Sequence, residues 1–284
     1  MTQNCSTKIS SERKWSSITK TLKNLFNQRP ELVLAPLLFV VVVSVWEFLV
    51  YIFSIPRIVL PAPSAIARSL NSLITVGNVH YHFGITLYET MAGFFIGGLS
   101  GLILGILVSQ FRLVEKTLYP YIVAFQAVPK VAIAPLIIIW AGYGYTSKII
   151  ITATIAFFPL LVNTIAGLRA TEPEYIEMLT GFTATRWKIF RMVKVPMAMP
   201  YIFAGLDIAG VMSVIGAIVG EFVGSRAGLG YLILHRNFQM DMPGVFALLI
   251  ILALMGIAIH LIINWLHRKI VFWKRAETER VIGA

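Results

Sequence analysis

Four carboxylates interrupt long apolar stretches of this 284-residue chain, and they are the first side chains that could do chemistry. They are Glu47, Glu89, Asp207 and Glu221. Carboxylates inside membrane segments can form a proton relay, so a relay is one interpretation. The other interpretation, which we favour, is that these side chains lie near helix ends, or pair with Lys130 or with backbone dipoles.

Other reactive groups do not form a recognisable catalytic or cofactor site. The stretch GYGYTSK at 142–148 is glycine-rich, but it lacks the glycine that precedes the lysine of an ATP-binding phosphate loop. His80 and His82 have no evident third ligand, and the sequence contains neither a Ser–His–Asp set nor a nucleophile elbow. We therefore predict no catalytic residue, no metal site and no cofactor bound by this chain.

The composition predicts that these residues are carried by membrane helices. Hydrophobic residues make up 57% of the chain and charged residues 13%, and the mean hydropathy is +0.79. Soluble domains carry about 25% charged residues, so we predict an all-α, polytopic protein embedded in a lipid bilayer. The single cysteine, Cys5, excludes a disulfide within one chain. No cleavable signal peptide is expected at the first residues.

Six apolar segments are long enough to cross a bilayer as helices. Their predicted bounds are about 32–53, 84–109, 118–141, 149–168, 197–223 and 244–266. Pro129 should break the third, and a short interfacial helix capped by Ser64 should follow the first. The predicted domains are a basic N-terminal tail at 1–31, a transmembrane domain at 32–266 and a C-terminal tail at 267–284. The N-terminal tail is either an amphipathic surface helix or disordered.

The distribution of positive charge predicts an orientation. With the N-terminal tail in the cytosol, 18 of the 24 Lys and Arg residues lie on the cytosolic side and 5 lie outside, while Lys130 lies within a helix. Such an excess marks cytosolic segments, so both termini and the polar segment 168–200 are predicted to be cytosolic. The same bias accounts for the net charge of +11 without a nucleic-acid partner, which a basic soluble protein would suggest.

The segment 168–200 is a polar island between two apolar runs. It carries four basic and three acidic residues within 172–194, too many for hydrocarbon, so it must lie in water beside the membrane. Thr171 can cap a helix that starts at Pro173, because proline suits a first helical position. The island is therefore expected to be folded at its beginning.

The second half of the island shows the same kind of signals. Gly181 and Thr183 suggest a turn, and Thr185 can cap another short helix on which Trp187 and Phe190 recur at helical spacing. We interpret the island as a helix–turn–helix knob that another protein grips. The alternative is an ordinary solvated loop with a basic flank.

Two stripes of glycine predict close helix packing. Their members recur every fourth residue, which places them on one helix face where two backbones can approach closely in lipid. They are Gly93, Gly97, Gly101 and Gly105 in the second segment, and Gly216, Gly220 and Gly224 in the fifth.

The island resembles the cytosolic EAA loop of the permeases of bacterial, binding-protein-dependent ABC importers. Glu177 fits the family's glutamate and Pro196 fits its proline. Flanking stretches resemble one branch, the nitrate/sulfonate/taurine-type permeases. These stretches are LPAPSAI, AVPKVAIAPLIIIWAGYGYTSKI, FFPLLVNTIAGL and AIVGEFVGSRAGLGYLI. The resemblance covers residues from about 60 to 265.

The chain departs from the family pattern at several positions. Met178 and Leu179 replace the two alanines, Thr183 replaces the glycine of the turn, and Glu89 stands where this branch commonly has a basic residue. Because threonine tolerates a positive φ poorly, we expect the turn to shift to Gly181 or to keep a negative φ.

The resemblance implies a type I ABC-importer permease fold, also called MetI-like, in the bacterial inner membrane. It implies a permease subunit of an ATP-driven importer, paired with a second permease subunit that is expected to be identical. Two separate ATPase subunits would bind ATP and Mg, and an extracytoplasmic binding protein would deliver nitrate, a sulfonate, taurine or a related small solute. The residues expected to dock the ATPase subunit are Glu174, Glu177, Gly181, Thr183, Arg186, Trp187 and Phe190.

The translocation path is expected to be lined by polar or small residues of the third to fifth segments. The candidates are Gln126, Lys130, Asn163, Asp207 and Ser213. For each of them the alternative is a hydrogen bond between helices. An alternative function is a secondary transporter driven by an ion gradient, which should show internal repeats that we do not find. A membrane enzyme would need a catalytic set that the chain lacks.

Overall fold

The computed structural model describes residues 31–273. The predictions for the N-terminal tail up to residue 30, and for the C-terminal tail beyond 273, lie outside the described residues. Within that range the regular structure is helical. The α-helices are α1 (Glu31–Ile52), α2 (Pro63–Thr75), α3 (Val79–Gln110), α4 (Arg112–Ala127), α5 (Lys130–Ala141), α6 (Tyr145–Arg169), α7 (Pro173–Gly181), α8 (Arg186–Ile189), α9 (Val195–Gly224), α10 (Leu229–Phe238) and α11 (Met242–Ile270).

Five helical stretches of the described range are long and apolar enough to cross a membrane. They are Leu34–Ile52, Val79–Gln110, Tyr145–Arg169, Arg186–Gly224 and Met242–Ile270. The bent pair formed by Lys116–Ala127 and Lys130–Ala141 brings the number to six if it counts as one span. The predicted all-α membrane fold is therefore confirmed.

The predicted break in the third segment is confirmed at Pro129. The two halves of the segment, α4 and α5, meet at an angle of 94°. Val128 is extended, with ψ at 128°, because a residue before proline avoids the helical conformation. Pro129 then precedes the first residue of α5, Lys130.

The described residues form two compact units, 31–68 and 69–273. In the first unit, the carboxylate of Glu47 accepts hydrogen bonds from the backbone N–H and the hydroxyl of Ser64, at 3.0 Å and 2.8 Å. The expectation that the Ser64 side chain caps α2 is wrong. Pro63 is already helical, and the Ser64 hydroxyl donates its hydrogen bond to Glu47 rather than accepting one from the backbone of α2. Glu47 therefore pairs with the backbone at the N-terminal end of α2, as the favoured interpretation of the membrane carboxylates allows.

In the second unit, α6 lies between α3 and α9 and forms the centre of the packing. The glycines of both stripes face it except Gly224, which lies against Tyr143 and Ile138 instead. A methyl group on Gly97 would come within 2.2 Å of the Ala153 carbonyl oxygen, and one on Gly216 within 2.8 Å of the Thr152 Cα. Any larger side chain at these two positions would push the helices apart, so the contact depends on glycine.

The fifth membrane helix is longer than predicted because it is continuous with the second short helix of the island. A π-helical segment, Phe190–Lys194, joins α8 to α9 without a break. Pro196 would clash with the carbonyl of Met192, four residues earlier, in an ordinary α-helix. Met192 lies in the wider π segment, where the Val195 N–H bonds to the Phe190 carbonyl five residues back.

Candidate functional site

The island folds as a knob, residues 170–194, at one end of the second unit. Its first helix, α7, starts at Pro173 as predicted and has Glu174 in its first turn. The prediction that Thr171 caps this helix is wrong. Glu172 occupies the cap position without a side-chain bond, and the buried hydroxyl of Thr171 has no hydrogen-bond partner in the described part of the chain.

Thr183 forms the turn between the two helices of the knob. Its φ is +55°. The Thr183 N–H bonds to the Thr180 carbonyl at 2.9 Å and the Ala184 N–H to the Leu179 carbonyl at 3.0 Å. This is the Schellman arrangement, in which a left-handed residue follows the helix end. The expectation that the turn shifts to Gly181 or keeps a negative φ is therefore wrong, since Gly181 is the last residue of α7.

The second helix of the knob, α8, starts as predicted. The Thr185 hydroxyl accepts a bond from the Lys188 N–H at 3.4 Å. The rings of Trp187 and Phe190 stack with centroids 5.6 Å apart. The two side chains differ in exposure. Trp187 is 68% exposed, whereas Phe190 is half-buried and packs against the core cluster that contains Leu160.

The surface of the knob is unusual for a segment in water. Large apolar side chains are exposed on it: Tyr175, Met178, Phe182, Trp187 and Met192. Among the predicted docking residues, Glu174, Glu177, Gly181, Thr183 and Arg186 are also exposed. Exposed apolar groups with a charged rim are typical of a protein–protein contact surface.

The structure brings two of the residues predicted for the translocation path together, Gln126 and Lys130, and gives the other three different partners. Asn163 and Ser213 each bond to a carbonyl of their own helix, at 2.8 Å and 2.6 Å. The Lys130 ammonium bonds to the Gln126 carbonyl at 3.1 Å and lies 4.6 Å from the centre of the Phe158 ring.

Asp207 pairs across two membrane helices instead. Its carboxylate lies 2.6 Å from Nδ1 of His260 on α11. That contact fits the alternative of a helix–helix hydrogen bond.

At the end of the bundle opposite the knob lies a buried ionic cluster, formed by Glu89, Lys148 and Glu221. The Lys148 ammonium bonds to Glu89 Oε1 at 2.9 Å, and the two side chains are 6% and 0% exposed. Glu221 is also buried, and its carboxyl group interacts with Glu89 and Lys148. The antiparallel course of α6 and α9 puts Lys148 and Glu221 at one end and the knob at the other, roughly 35 Å away along α6.

This cluster holds the loop between α9 and α10 against the rest of the unit. Glu221 accepts hydrogen bonds from the Thr86 hydroxyl, at 2.6 Å, and from the Gly230 N–H. The Thr86 hydroxyl in turn accepts the Leu229 N–H at 2.8 Å, and Lys148 donates to the Ser225 hydroxyl at 2.7 Å.

The sequence reasoning missed this cluster. The sequence suggests Lys130 as a partner for a membrane carboxylate, whereas Glu89 pairs with Lys148, in the first turn of α6. The departure of Glu89 from the basic residue of related permeases was the one available signal. A reversed charge in a buried position needs an opposite charge close by.

A scan against protein families found one match that covers most of the second unit. The family is described as "Binding-protein-dependent transport system inner membrane component", and the match spans residues 93–272.

Curated relatives agree. A "Probable ABC transporter permease protein" of Haemophilus influenzae is 35% identical over 84% of this chain and 97% of its own length. The "Riboflavin transport system permease protein RibX" of Chloroflexus aurantiacus is 36% identical over 84% of this chain and 89% of its own length. The "Putative aliphatic sulfonates transport permease protein SsuC" of Bacillus subtilis is 30% identical over 83% and 86%.

Solved structures share the fold at low identity. A structure of the MetNI methionine ABC transporter, in inward-facing form, has a TM-score of 0.52 at 20% identity, over 72% of this chain and 97% of that one. A structure of an amino acid ABC transporter with histidines has a TM-score of 0.54 at 19% identity, over 67% of this chain and 91% of that one. The predicted MetI-like fold is confirmed, and the comparisons give no support to a secondary transporter.

Proposed function

We propose that the knob is where an ATPase subunit grips this chain, because the chain belongs to the family of binding-protein-dependent transport system inner membrane components. The chain is a multi-pass permease subunit of an ABC importer in the inner membrane, and the ATPase activity of such importers lies in a partner subunit. The proposal concerns how that partner is engaged and what the complete assembly contains.

The single observation that carries the proposal is the continuity of the helix that begins in the knob. The run Arg186–Gly224 has the exposed Trp187 in its first turn and ends beside the buried cluster at the other end of the unit. A rigid helix moves as one body, so a displacement of the knob is transmitted along α9 into the membrane-spanning core.

The contact surface fits an ATPase partner in its chemistry. Trp187 and Phe182 supply the large apolar groups on which binding energy concentrates. Glu174, Glu177 and Arg186 surround them and can fix the orientation of the partner by charge. The same face lies in the cytosol if both termini are cytosolic, as the distribution of Lys and Arg favours.

The complete assembly would contain two copies of this chain, with the path between them. Two ATPase subunits would bind ATP and Mg, and an extracytoplasmic binding protein would deliver the solute. Gln126, Lys130, Asn163, Asp207 and Ser213 remain the candidates for the path. The solute is proposed to be a small molecule such as nitrate, a sulfonate or taurine. The name of the Bacillus subtilis relative states aliphatic sulfonates.

Two knob variants test the proposal. Trp187→Ala removes the apolar anchor and Glu177→Lys reverses a charge on the same surface. Each variant is expected to insert into the membrane at wild-type levels. Each should retain about tenfold less ATPase subunit on co-purification, since the loss of a central anchor such as Trp187 costs about 2 kcal/mol or more.

Trp265→Ala is the matched control, because Trp265 is also well exposed but lies on α11. It should retain the ATPase subunit. Full retention by both knob variants, with unchanged transport, would rule out docking at the knob.

A further inference from the structure

A cavity of about 780 Å³ opens at the end of the bundle that carries the ionic cluster. Three separate segments of the second unit form it. Tyr81 and Ile85 come from the first turns of α3. Residues 143–145 and Lys148 come from the turn before α6 and from its first residues, and residues 224–227 from the end of α9 and the loop after it. Its volume is in the range of about 300–1,000 Å³ that is usual for small-molecule sites.

The charged side chains that line this cavity are basic, although one of them, Lys148, is paired with Glu89 behind the wall. Lys148 and Arg226 are the charged residues among those that line it, and no Asp or Glu does so. The Lys148 ammonium has three N–H donors, of which Glu89 and Ser225 accept two. Arg226 is exposed and forms no ion pair with any residue in the described range.

Tyrosine supplies the remaining recognition groups. Tyr81, Tyr143 and Tyr145 all line the cavity and are all exposed. Tyrosines at a membrane interface ordinarily face lipid headgroups, but these three surround a cavity that also contains two cations. Their rings offer apolar faces and their hydroxyls offer hydrogen-bond donors.

The loop that carries Arg226 is fixed rather than free. Glu221 accepts the Gly230 N–H, His82 accepts the Gly228 N–H at 3.0 Å, and Lys148 donates to Ser225. The ionic cluster thus holds one wall of the cavity in place. A binding site on a preorganised wall loses less entropy when a ligand binds.

We propose that this cavity binds a small organic anion, with a carboxylate, sulfonate or phosphate headgroup on an apolar or aromatic body. Arg226 and the tyrosine hydroxyls would contact the headgroup above the buried Lys148, and the body would lie against the tyrosine rings. A bare inorganic anion would leave most of the volume unfilled. The inference rests on the proposed function in one respect: it treats the bound anion as the solute that then enters the translocation path.

Benzenesulfonate is a suitable probe, and benzyl alcohol is its neutral counterpart. Binding is measured by titration calorimetry on the permease–ATPase complex in zwitterionic nanodiscs, without the binding protein. Wild type should bind benzenesulfonate and not benzyl alcohol. Arg226→Gln should weaken binding by about tenfold, the effect of losing one hydrogen bond to a charged group, and Tyr143→Ala should also weaken it.

Arg57→Gln is the charge-matched control, since Arg57 is exposed and lies in the other unit. It should bind the probe within about twofold of wild type, because it lies outside the cavity. The proposal is overturned if no binding is detected, if Arg226→Gln binds as wild type does, or if Arg57→Gln loses as much. Co-purification of the ATPase subunit, scored on the same samples, reports separately on the function of the knob.

Discussion

The knob leaves Phe182 and Trp187 exposed, at 76% and 68%, whereas the ionic cluster at the other end of the bundle leaves Lys148 and Glu89 at 6% and 0%. In the knob, apolar groups face water. In the cluster, charges face protein and are hydrogen-bonded. Apolar surface persists in water where a partner covers it, and a buried charge is tolerated only with its own partners. The difference assigns contact between subunits to the knob and the positioning of the chain's own loops to the cluster.

The largest effect on stability is expected from Glu221→Ala. It leaves the Gly230 N–H and the Thr86 hydroxyl without their acceptor. A buried donor left without its acceptor costs about 1–3 kcal/mol, so the loss of this acceptor for two donors should cost several kcal/mol, roughly 2–6. Thermal unfolding of the purified chain in nanodiscs should show this loss, and the loop 225–230 should become sensitive to protease.

A double-mutant cycle tests whether Glu89 and Lys148 stabilise the folded chain as a pair. Glu89→Leu and Lys148→Met should each destabilise, while the pair should be closer to wild type than the sum of the two, with a coupling of about 1–3 kcal/mol. Strict additivity would show that the cluster does not act as a unit.

The corresponding change in the knob should have almost no effect on stability. Phe182→Ser removes a side chain that is already in solvent, so the free energy of unfolding should stay within about 0.5 kcal/mol of wild type. The same substitution at the buried Phe203 should cost several kcal/mol, roughly 3 or more. If Phe182→Ser destabilised as much as Phe203→Ser, the knob would be part of the core and the comparison would fail.

A small effect of the opposite sign, a stabilisation, is expected at the turn of the knob. Thr183→Gly relieves a left-handed backbone at a residue with a Cβ, and it should stabilise α7 by about 1 kcal/mol. Thr180→Gly, inside the same helix, should destabilise it by about 0.5–1 kcal/mol. Hydrogen exchange of the α7 amides distinguishes the two signs, and an unchanged or faster exchange in Thr183→Gly would contradict the strain at this turn.

The apolar segments and the knob could be predicted because their signals are local. Long apolar runs, Pro129 and the cap at Thr185 act through neighbouring residues, and each produced the expected break or helix start. The conformation of Thr183 could not be predicted from its preference alone. The turn that it forms lets the N–H groups of Thr183 and Ala184 bond to two carbonyls at the end of α7, and this outweighs the cost of a positive φ.

The ionic cluster could not be predicted because its partners are distant in the chain. Glu89 and Lys148 are 59 residues apart, and Thr86 and Glu221 are 135 apart. Their contact depends on how α3, α6 and α9 pack on their glycine faces, which sequence periodicity does not specify. The continuity of α8 with α9 was missed for another reason, since Pro196 indicates a helix start and the π segment removes the clash.

Photo-cross-linking from position 187 tests the central claim most directly. Trp187→Cys in a Cys5→Ser background is labelled with a benzophenone maleimide and irradiated in the complete assembly with the ATPase subunit and the binding protein. Phe222→Cys, exposed at the far end of the same helix, is labelled in parallel. The account predicts an adduct with the ATPase subunit from position 187 and none from position 222. An adduct of position 187 with the binding protein, or an ATPase adduct from position 222 alone, would contradict it.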